Sequence, residues 1–386
     1  MKIVIAVDSF KGSMSSMEAG NAAKAGILRV CDAEIVVKPL ADGGEGTTEA
    51  LVEGLGGEYV SVWVTGPLGE RTKARYGILG DGRTAVMEMA QAAGIVLVNR
   101  EELDPTRATT YGVGEMILDA VKRGCREFII GIGGSATSEG GVGMLQALGY
   151  AITDETGKSI RPGICDLGRI QSISAENVPD VLKECHFSIA CDVKNPLCGE
   201  NGAVYVYGPQ KGVKEEEKQS FDEKMKHFAD KTREYNQVDY RWTEGAGAAG
   251  GLGFAFLSYL PKVELKSGID IVLEAIGFEQ EVKAADIVIT GEGRLDAQTA
   301  MGKVPVGVAR LAKKYGASVF AFAGGVTKEA GKCNAAGIDA FFPIVRGVTT
   351  LEEAMEPENA RENMTLTVEQ VFRAISLPIF DSDIFS

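Results

Sequence analysis

The sequence predicts an α/β protein of two domains, and three observations carry that expectation. Apolar runs alternate with helical patterns of about ten to fifteen residues, the signature of β/α units around a mainly parallel sheet. At 386 residues the chain exceeds what one ordinary hydrophobic core organises. Its 49 glycines, about twice the average share, show no collagen-like period and no low-complexity run, so they serve turns and close backbone approaches.

The first element sets the pattern. Residues 3–7 read as a buried strand, because β-branched residues dominate and no polar residue alternates with them. The same enrichment places strands over 34–38, 84–89, 127–132, 187–190, 287–290, 318–323 and 340–344, with helical periodicity over 15–29, 47–54, 112–123, 142–148, 214–235, 305–314 and 366–374. The most charged segment, "KEEEKQSFDEKMKHFADKTREY", reads as a solvated amphipathic helix rather than a recruitment site. From "VWVTGPLGERTKARYGILGDGRTAVMEMA" onward the strands shorten and alternate, joined by Pro-Leu-Gly and Gly-Asp-Gly turns, so a second unit starts near residue 60. After about 284 plain strand-helix alternation returns. The expected division is therefore a discontinuous domain of residues 1–60 and 284–376 and an inserted domain of 61–283, with the aperiodic "LPIFDSDIFS" (377–386) as a loose tail.

Composition narrows the function. A formal net charge of -14 opposes nucleic acid or an acidic membrane surface as partner. No apolar stretch approaches a membrane span, and the N-terminus enters a strand with one lysine and no cleavable apolar core. Seven cysteines without a C-x-x-C pair fit a reducing cytoplasm, which is the expected location. Monomer and homodimer both stay open.

The chemistry concentrates in the turns after strands: "DSFKGS", "PLADGGEGTTEA", "GIGGSATSEGGVG", "ACDVKNPLCGENGA", "TEGAGAAGGLG" and "TGEGRLDAQTAMGKVP". Ligands of open α/β sheets bind outside the carboxyl ends of the strands, so Asp8, Lys11, Asp42, Glu45, Asp192, Glu292, Arg294 and Asp296 are expected to gather at one cleft. Gly-rich turns there present unpaired N–H groups to phosphate. Gly131-x-Gly133-x-x-Ala136 also matches the permissive dinucleotide fingerprint, with Asp154 near the place of the ribose acid. The P-loop pattern fails everywhere. With only His186 and His227 present, histidine-zinc and Ser-His-Asp sites have no support, and several carboxylates without soft ligands favour Mg²⁺. For Asp296 and Glu45 a helix N-cap or turn role competes with a ligand role.

Together "DSFKGSMSS", "PLADGGEGT", "GIGGSATSEGG", "ACDVKNPLCGENGA", "YGPQKG", "GAGAAGGLG" and "GEGRLDAQTAMGKVPVGVA" resemble, in order, the motif series of the bacterial type I glycerate kinases, the glycerate 2-kinase family. The resemblance implies ATP-dependent phosphorylation of D-glycerate with Mg²⁺. It also implies a discontinuous domain with a restriction-endonuclease-like or Rossmann-like α/β core and an inserted flavodoxin-like α/β domain. The matching positions are Asp8, Ser9 and Lys11; Asp42, Gly43, Gly44 and Glu45; Gly133, Gly134, Ser135 and Thr137; Asp192 and Asn195; and Glu292, Arg294 and Asp296. One motif departs from the usual pattern, carrying Ser138-Glu139 in place of Asn-Asp or Thr-Asp.

Phosphoryl transfer needs in-line positioning, a base for the hydroxyl proton and cations against the phosphate oxygens. On that basis Asp192 is expected as base, Lys11 and Arg294 as charge stabilisers beside Asp8, and Asp42 with Glu292 as Mg²⁺ ligands, directly or through water. Gly133, Gly134, Ser135 and Thr137 would cradle ATP phosphates through the loop's backbone N–H groups, and Ser9, Asn195 and Asp296 would contact glycerate. The expected product is 2-phosphoglycerate. Alternatives are 3-phosphoglycerate, an NAD-dependent 2-hydroxyacid dehydrogenase using the fingerprint at 131–136, and a non-catalytic anion clamp.

Overall fold

The computed structural model describes residues 1–377, so the expected tail, Leu377 apart, lies outside the described residues. The chain forms two compact units. One comprises Met1–Asp42, Glu49–Leu55 and 269–377; the other comprises Gly43–Thr48 and Gly56–Gly268. The change of unit falls at Ile269, ahead of the 284 read from the sequence. Ile269 explains the difference: a Cβ added to Gly307, in the first unit's helix Val304–Lys314, would lie 2.7 Å from its Cγ1, so this side chain packs with the first unit.

The first unit carries five parallel strands in the order Ala340–Pro343, Ser318–Val326, Ile287–Leu295, Lys2–Ala6, Glu34–Lys38. Ile3 pairs with Ile287 on one side and Ile35 on the other. Ile3, Val4, Ile5 and Ala6 are fully buried, as a central parallel strand covered on both faces requires. Helix Ser16–Leu28 begins with a capping box: the Ser15 hydroxyl accepts the Glu18 N–H and the Glu18 carboxylate accepts the Ser15 N–H at 2.9 Å. Its small residues admit helix Pro357–Ile375 at close range, where a Cβ on Gly26 would lie 2.4 Å from the Thr365 carbonyl oxygen and the Thr365 hydroxyl donates to Ala22 O at 3.0 Å. Ser16 ties this helix to both neighbouring strands, donating to Val7 O and accepting Leu40 N–H, each at 2.7 Å.

The second unit has a six-stranded sheet in the order Val263–Lys266, His186–Ala190, Glu127–Gly131, Thr84–Glu88, Arg71–Ile78, Glu58–Thr65. The first four strands are parallel; the last two form an antiparallel hairpin on the edge. Phe128 and Phe187 stack at its centre with ring centroids 4.9 Å apart. Helix Lys218–Asn236 buries Phe221, Met225, Phe228, Ala229 and Thr232 at helical spacing and turns most of its charges outward, the amphipathic reading of that segment; Asp222 is the exception, buried where it accepts the Gly199 N–H at 2.9 Å.

Strand order corrects one expectation. Counted along the chain, the first unit runs 2-1-3-4-5, the flavodoxin order, whereas the second unit's strands follow one another in sequence without a reversal. The flavodoxin-like sheet is thus the discontinuous one, and the inserted unit is not flavodoxin-like. Local periodicity marks where strands are, and both units share it; it says nothing of which strands are neighbours.

A second correction concerns glycine. "TGEGRL" is strand, not turn: Ile287–Leu295 runs through it, and a Cβ on Gly291 would lie 2.0 Å from Phe322 O on the next strand. Similarly "GAGAAGGLG" opens helix Ala248–Tyr259 with Ala249, Gly250 and Gly251 all left-handed. Gly140 N–H donates to Gly250 O at 2.9 Å, and a Cβ on Gly250 would sit 2.0 Å from Thr137 O, so two backbones touch there. Gly250→Ala combines that clash with an unfavourable φ of 67°. We expect it to cost about 2 kcal/mol or more and to lower Tm by about 5 °C in scanning calorimetry; an unchanged Tm contradicts this packing.

Candidate functional site

In the first unit the direction of chain connection reverses between Lys2–Ala6 and Ile287–Leu295, the place where doubly wound sheets bind ligands outside their carboxyl ends. Asp8 N–H donates to Gly291 O at 2.9 Å, which extends the strand pairing and sets Asp8 alongside Glu292. The Asp8 carboxyl is buried and accepts the Ser9 N–H at 2.7 Å, so Ser9 acts here through its backbone. Burial pushes Asp8 up to about 7, with the charges of Asp42 and Glu292 adding to it and the Ser9 N–H and Lys11 opposing. Glu292 is raised as well, first by burial and then by Asp296 and Asp42, while the Thr299 hydroxyl and Lys303 pull it down. Four acids and two lysines of the first unit therefore share one electrostatic neighbourhood.

Asp296 is the turn residue that the sequence left open: its Oδ1 accepts the Gln298 N–H at 2.8 Å and the Thr299 N–H at 3.3 Å at the head of the short turn Thr299–Met301. Arg294, highly exposed, stands 3.9 Å from it. Among the described residues no three His, Cys, Asp or Glu side chains form a ready-made metal cage. A hard dication that keeps waters and takes substrate phosphates needs only one or two carboxylates. Asp8, Asp42 and Glu292 are all-oxygen donors whose mutual repulsion such an ion relieves, so the donor set fits Mg²⁺.

The second unit holds the other matching positions. Gly43 lies over the carboxyl ends of its sheet: a Cβ there would meet Gly268 Cα at 2.3 Å and Ala190 Cβ at 2.9 Å, and one on Gly131 would meet Gly43 O at 2.5 Å. Its φ of 85° also demands glycine. Two residues beyond Ala190, Asp192 is exposed and its Oδ1 accepts the Gly268 N–H at 3.0 Å. Asn195 is tied down, donating to Asn201 O at 2.8 Å and accepting the Tyr207 hydroxyl at 2.5 Å.

Only part of the loop 133–137 faces outward. Gly133 and Gly134 are exposed, and Gly134 is left-handed; Ser135 and Thr137 are buried. The Thr137 hydroxyl has no hydrogen-bond partner, and Ser135 accepts from the buried Lys211, so both side chains point inward and the phosphate contact expected of this loop falls to its backbone N–H groups. The fingerprint reading fails on geometry too. Helix Val142–Ala147 starts well beyond Ala136, and Asp154 spends its carboxylate on Thr156, Lys158 N–H and Arg169.

Four residues carry more of this architecture than sequence reasoning assigned them. Glu88, an acid ending an apolar strand, accepts the Thr48 N–H at 3.1 Å; burial raises it, and the Thr48 and Gly46 N–H groups oppose that. Glu139, the unusual acid of the third motif, is fully buried and bonds Thr110 and the Gly143 N–H (2.6 Å); burial pushes it up to about 7. It braces two helix starts rather than reaching a ligand. Lys303 was unread. Lys211, in "YGPQKG", donates to Ser135 Oγ at 2.6 Å and Thr137 O at 2.7 Å, beneath the exposed glycines. Burial alone pulls the Lys211 amine down to about 7.

That burial has a measurable sign. Between pH 7 and about 10.5 the unfolded lysine holds a proton that the folded one lacks, so this group makes stability rise with pH across that window. Lys211→Met removes the dependence: the variant's unfolding free energy relative to wild type should be highest below pH 7 and fall on going to pH 10, by at most about 1.4 kcal/mol per pH unit, as followed by denaturant titration at each pH. A difference independent of pH would mean that Lys211 stays charged.

Comparison with known proteins agrees with this layout. The glycerate kinase family model matches residues 3–376. The chain is 47% identical over 378 residues to "Glycerate kinase" of Bacillus subtilis (strain 168), covering 98% of each chain. It is 46% identical over 355 residues to "Glycerate 2-kinase" of Escherichia coli (strain K12), covering 92% of this chain and 93% of that one. A crystal structure assigned to glycerate kinase 2 from Salmonella typhimurium LT2 superposes with a TM-score of 0.89 at 44% identity, covering 97% of this chain and 98% of that one. With its ordered motifs, its two α/β units and a match spanning nearly its whole length, the chain belongs to the glycerate kinase family and is a kinase.

Proposed function

We propose that the protein transfers the γ-phosphoryl group of ATP to D-glycerate and yields 2-phosphoglycerate, with Mg²⁺ as cofactor. The observation that carries the reading is the crowding of Asp8, Asp42 and Glu292 with Lys11 and Lys303 at the switch point of the first unit's sheet. The relative named "Glycerate 2-kinase" supports the choice of the 2-hydroxyl.

When bound, Mg²⁺ offsets negative charge on the nucleotide's phosphates. Asp42 and Glu292 would hold it, directly or through water, and Asp8 would complete the carboxylate set. Lys11 and Arg294 would face the anionic groups of substrate or nucleotide as fixed positive charges. The N–H groups of the exposed residues Gly133 and Gly134 would receive phosphate oxygens, on a loop whose underside Lys211 clamps. Asp192, with one oxygen oriented by the Gly268 N–H, would take the hydroxyl proton of glycerate.

Two measurements test this. Phosphorus NMR of the product formed from D-glycerate and MgATP should show 2-phosphoglycerate; 3-phosphoglycerate would overturn the regiochemistry, and no phosphorylated acid would overturn the reaction. Asp192→Asn should lower kcat by at least about a hundredfold, the usual scale for a positioned base, with little change in Tm. Near-wild-type turnover would remove Asp192 from that role.

A further inference from the structure

The second unit contains a cavity of about 700 Å³ that none of the motif residues above lines. Its walls come from three distant segments: the turn after strand Glu58–Thr65, the approach to helix Tyr111–Lys122, and the loop from Arg161 to Asp166. These walls are fastened through main chain. Thr109 N–H donates to Pro67 O at 2.9 Å and Ile164 N–H to Pro105 O at 3.1 Å. Gly163, at φ 91°, passes so close that a Cβ would lie 2.0 Å from Thr106 O. The hollow is thus built into the fold, and its size is that of a small-molecule site.

Its charge runs against that of the chain. Asp166 is the one carboxylate in the lining; its side chain is buried, and Arg161 engages both its oxygens at 3.0 Å, with Arg169 at 3.7 Å. Arg107 also lines the cavity, yet has no ion pair or side-chain hydrogen bond among the described residues. One acid, already satisfied, therefore faces two guanidinium groups, on a molecule with net charge -14. Guanidinium forks match carboxylate and phosphate oxygens, while Leu68, Pro162 and the Tyr111 ring offer apolar contact.

We infer that this cavity is a binding site for a small organic anion bearing carboxylate or phosphate groups, with Arg107 as its principal charge partner and Arg161, braced by Asp166, as the second. The inference is independent of the kinase reading, because its readout is local and needs no turnover.

Cys165 lines the cavity and is the exposed cysteine of the chain, so its alkylation reports occupancy. The full-length protein would be treated with iodoacetamide in the presence of citrate, inorganic phosphate, or sodium chloride at matched ionic strength, and Cys165 modification followed by peptide mass spectrometry. Citrate or phosphate at about ten times its Kd should slow modification about tenfold. Protection by citrate alone assigns a carboxylate ligand; protection by phosphate also assigns the broader oxyanion class. Arg107→Ala should abolish protection and leave basal turnover unchanged, and calorimetric titration of citrate should lose the corresponding binding heat in that variant. Equal protection by sodium chloride, no protection by either anion, or undiminished protection in Arg107→Ala would overturn the site.

Discussion

The edge-to-edge pairing of Lys2–Ala6 with Ile287–Leu295 is the constraint on which the first unit depends. It joins segments from opposite ends of the chain, sets the reversal of strand order, and continues through the Asp8 N–H to Gly291 O bond to bring two carboxylates side by side. Neither acid would tolerate that position in water-poor surroundings as a lone charge, and their raised proton affinities express the strain of company and burial together. A bound cation would relieve such an arrangement, in keeping with the function proposed above.

The second unit solves a different problem. Its glycines let backbones touch: Gly250 against Thr137, Gly43 against Gly268, Gly163 against Thr106. Where backbones come this close, side chains cannot fill the space, and polar groups must be satisfied from beneath. Lys211 and Glu139 do this under adjoining stretches of one loop, each burying an ionisable group to hold main-chain geometry. The exposed glycines owe their position to these buried contacts.

Much of this was legible in the sequence. The parallel strands announced themselves as apolar, β-branched runs, except the short Val263–Lys266, whose alternating charges hid it, and Asp8, Asp42 and Glu292 stood out as acids just beyond or near the ends of such runs. Neighbour relations were not legible, because a strand's partners depend on packing over the whole chain, and so the flavodoxin order was assigned to the wrong unit. Glycine misled twice: at Gly291 and Gly250 it signals contact between backbones, although a local reading takes it for a turn. Lys211 escaped assignment because a buried lysine violates the usual partition of charge, and nothing local announces that a chain will bury one.

A protein whose first strand must find Ile287 carries a schedule in its topology. During synthesis at about 5–20 residues per second, the N-terminal β/α segment waits on the order of half a minute for the ribosome to deliver its missing neighbour. Over that interval the Ile3–Val7 segment has a bare hydrogen-bonding flank, while every strand of the intervening unit can already have met its mates. Nascent chains are thus open to aggregation through the Ile3–Val7 segment until its companion strand Ile287–Leu295 has been made.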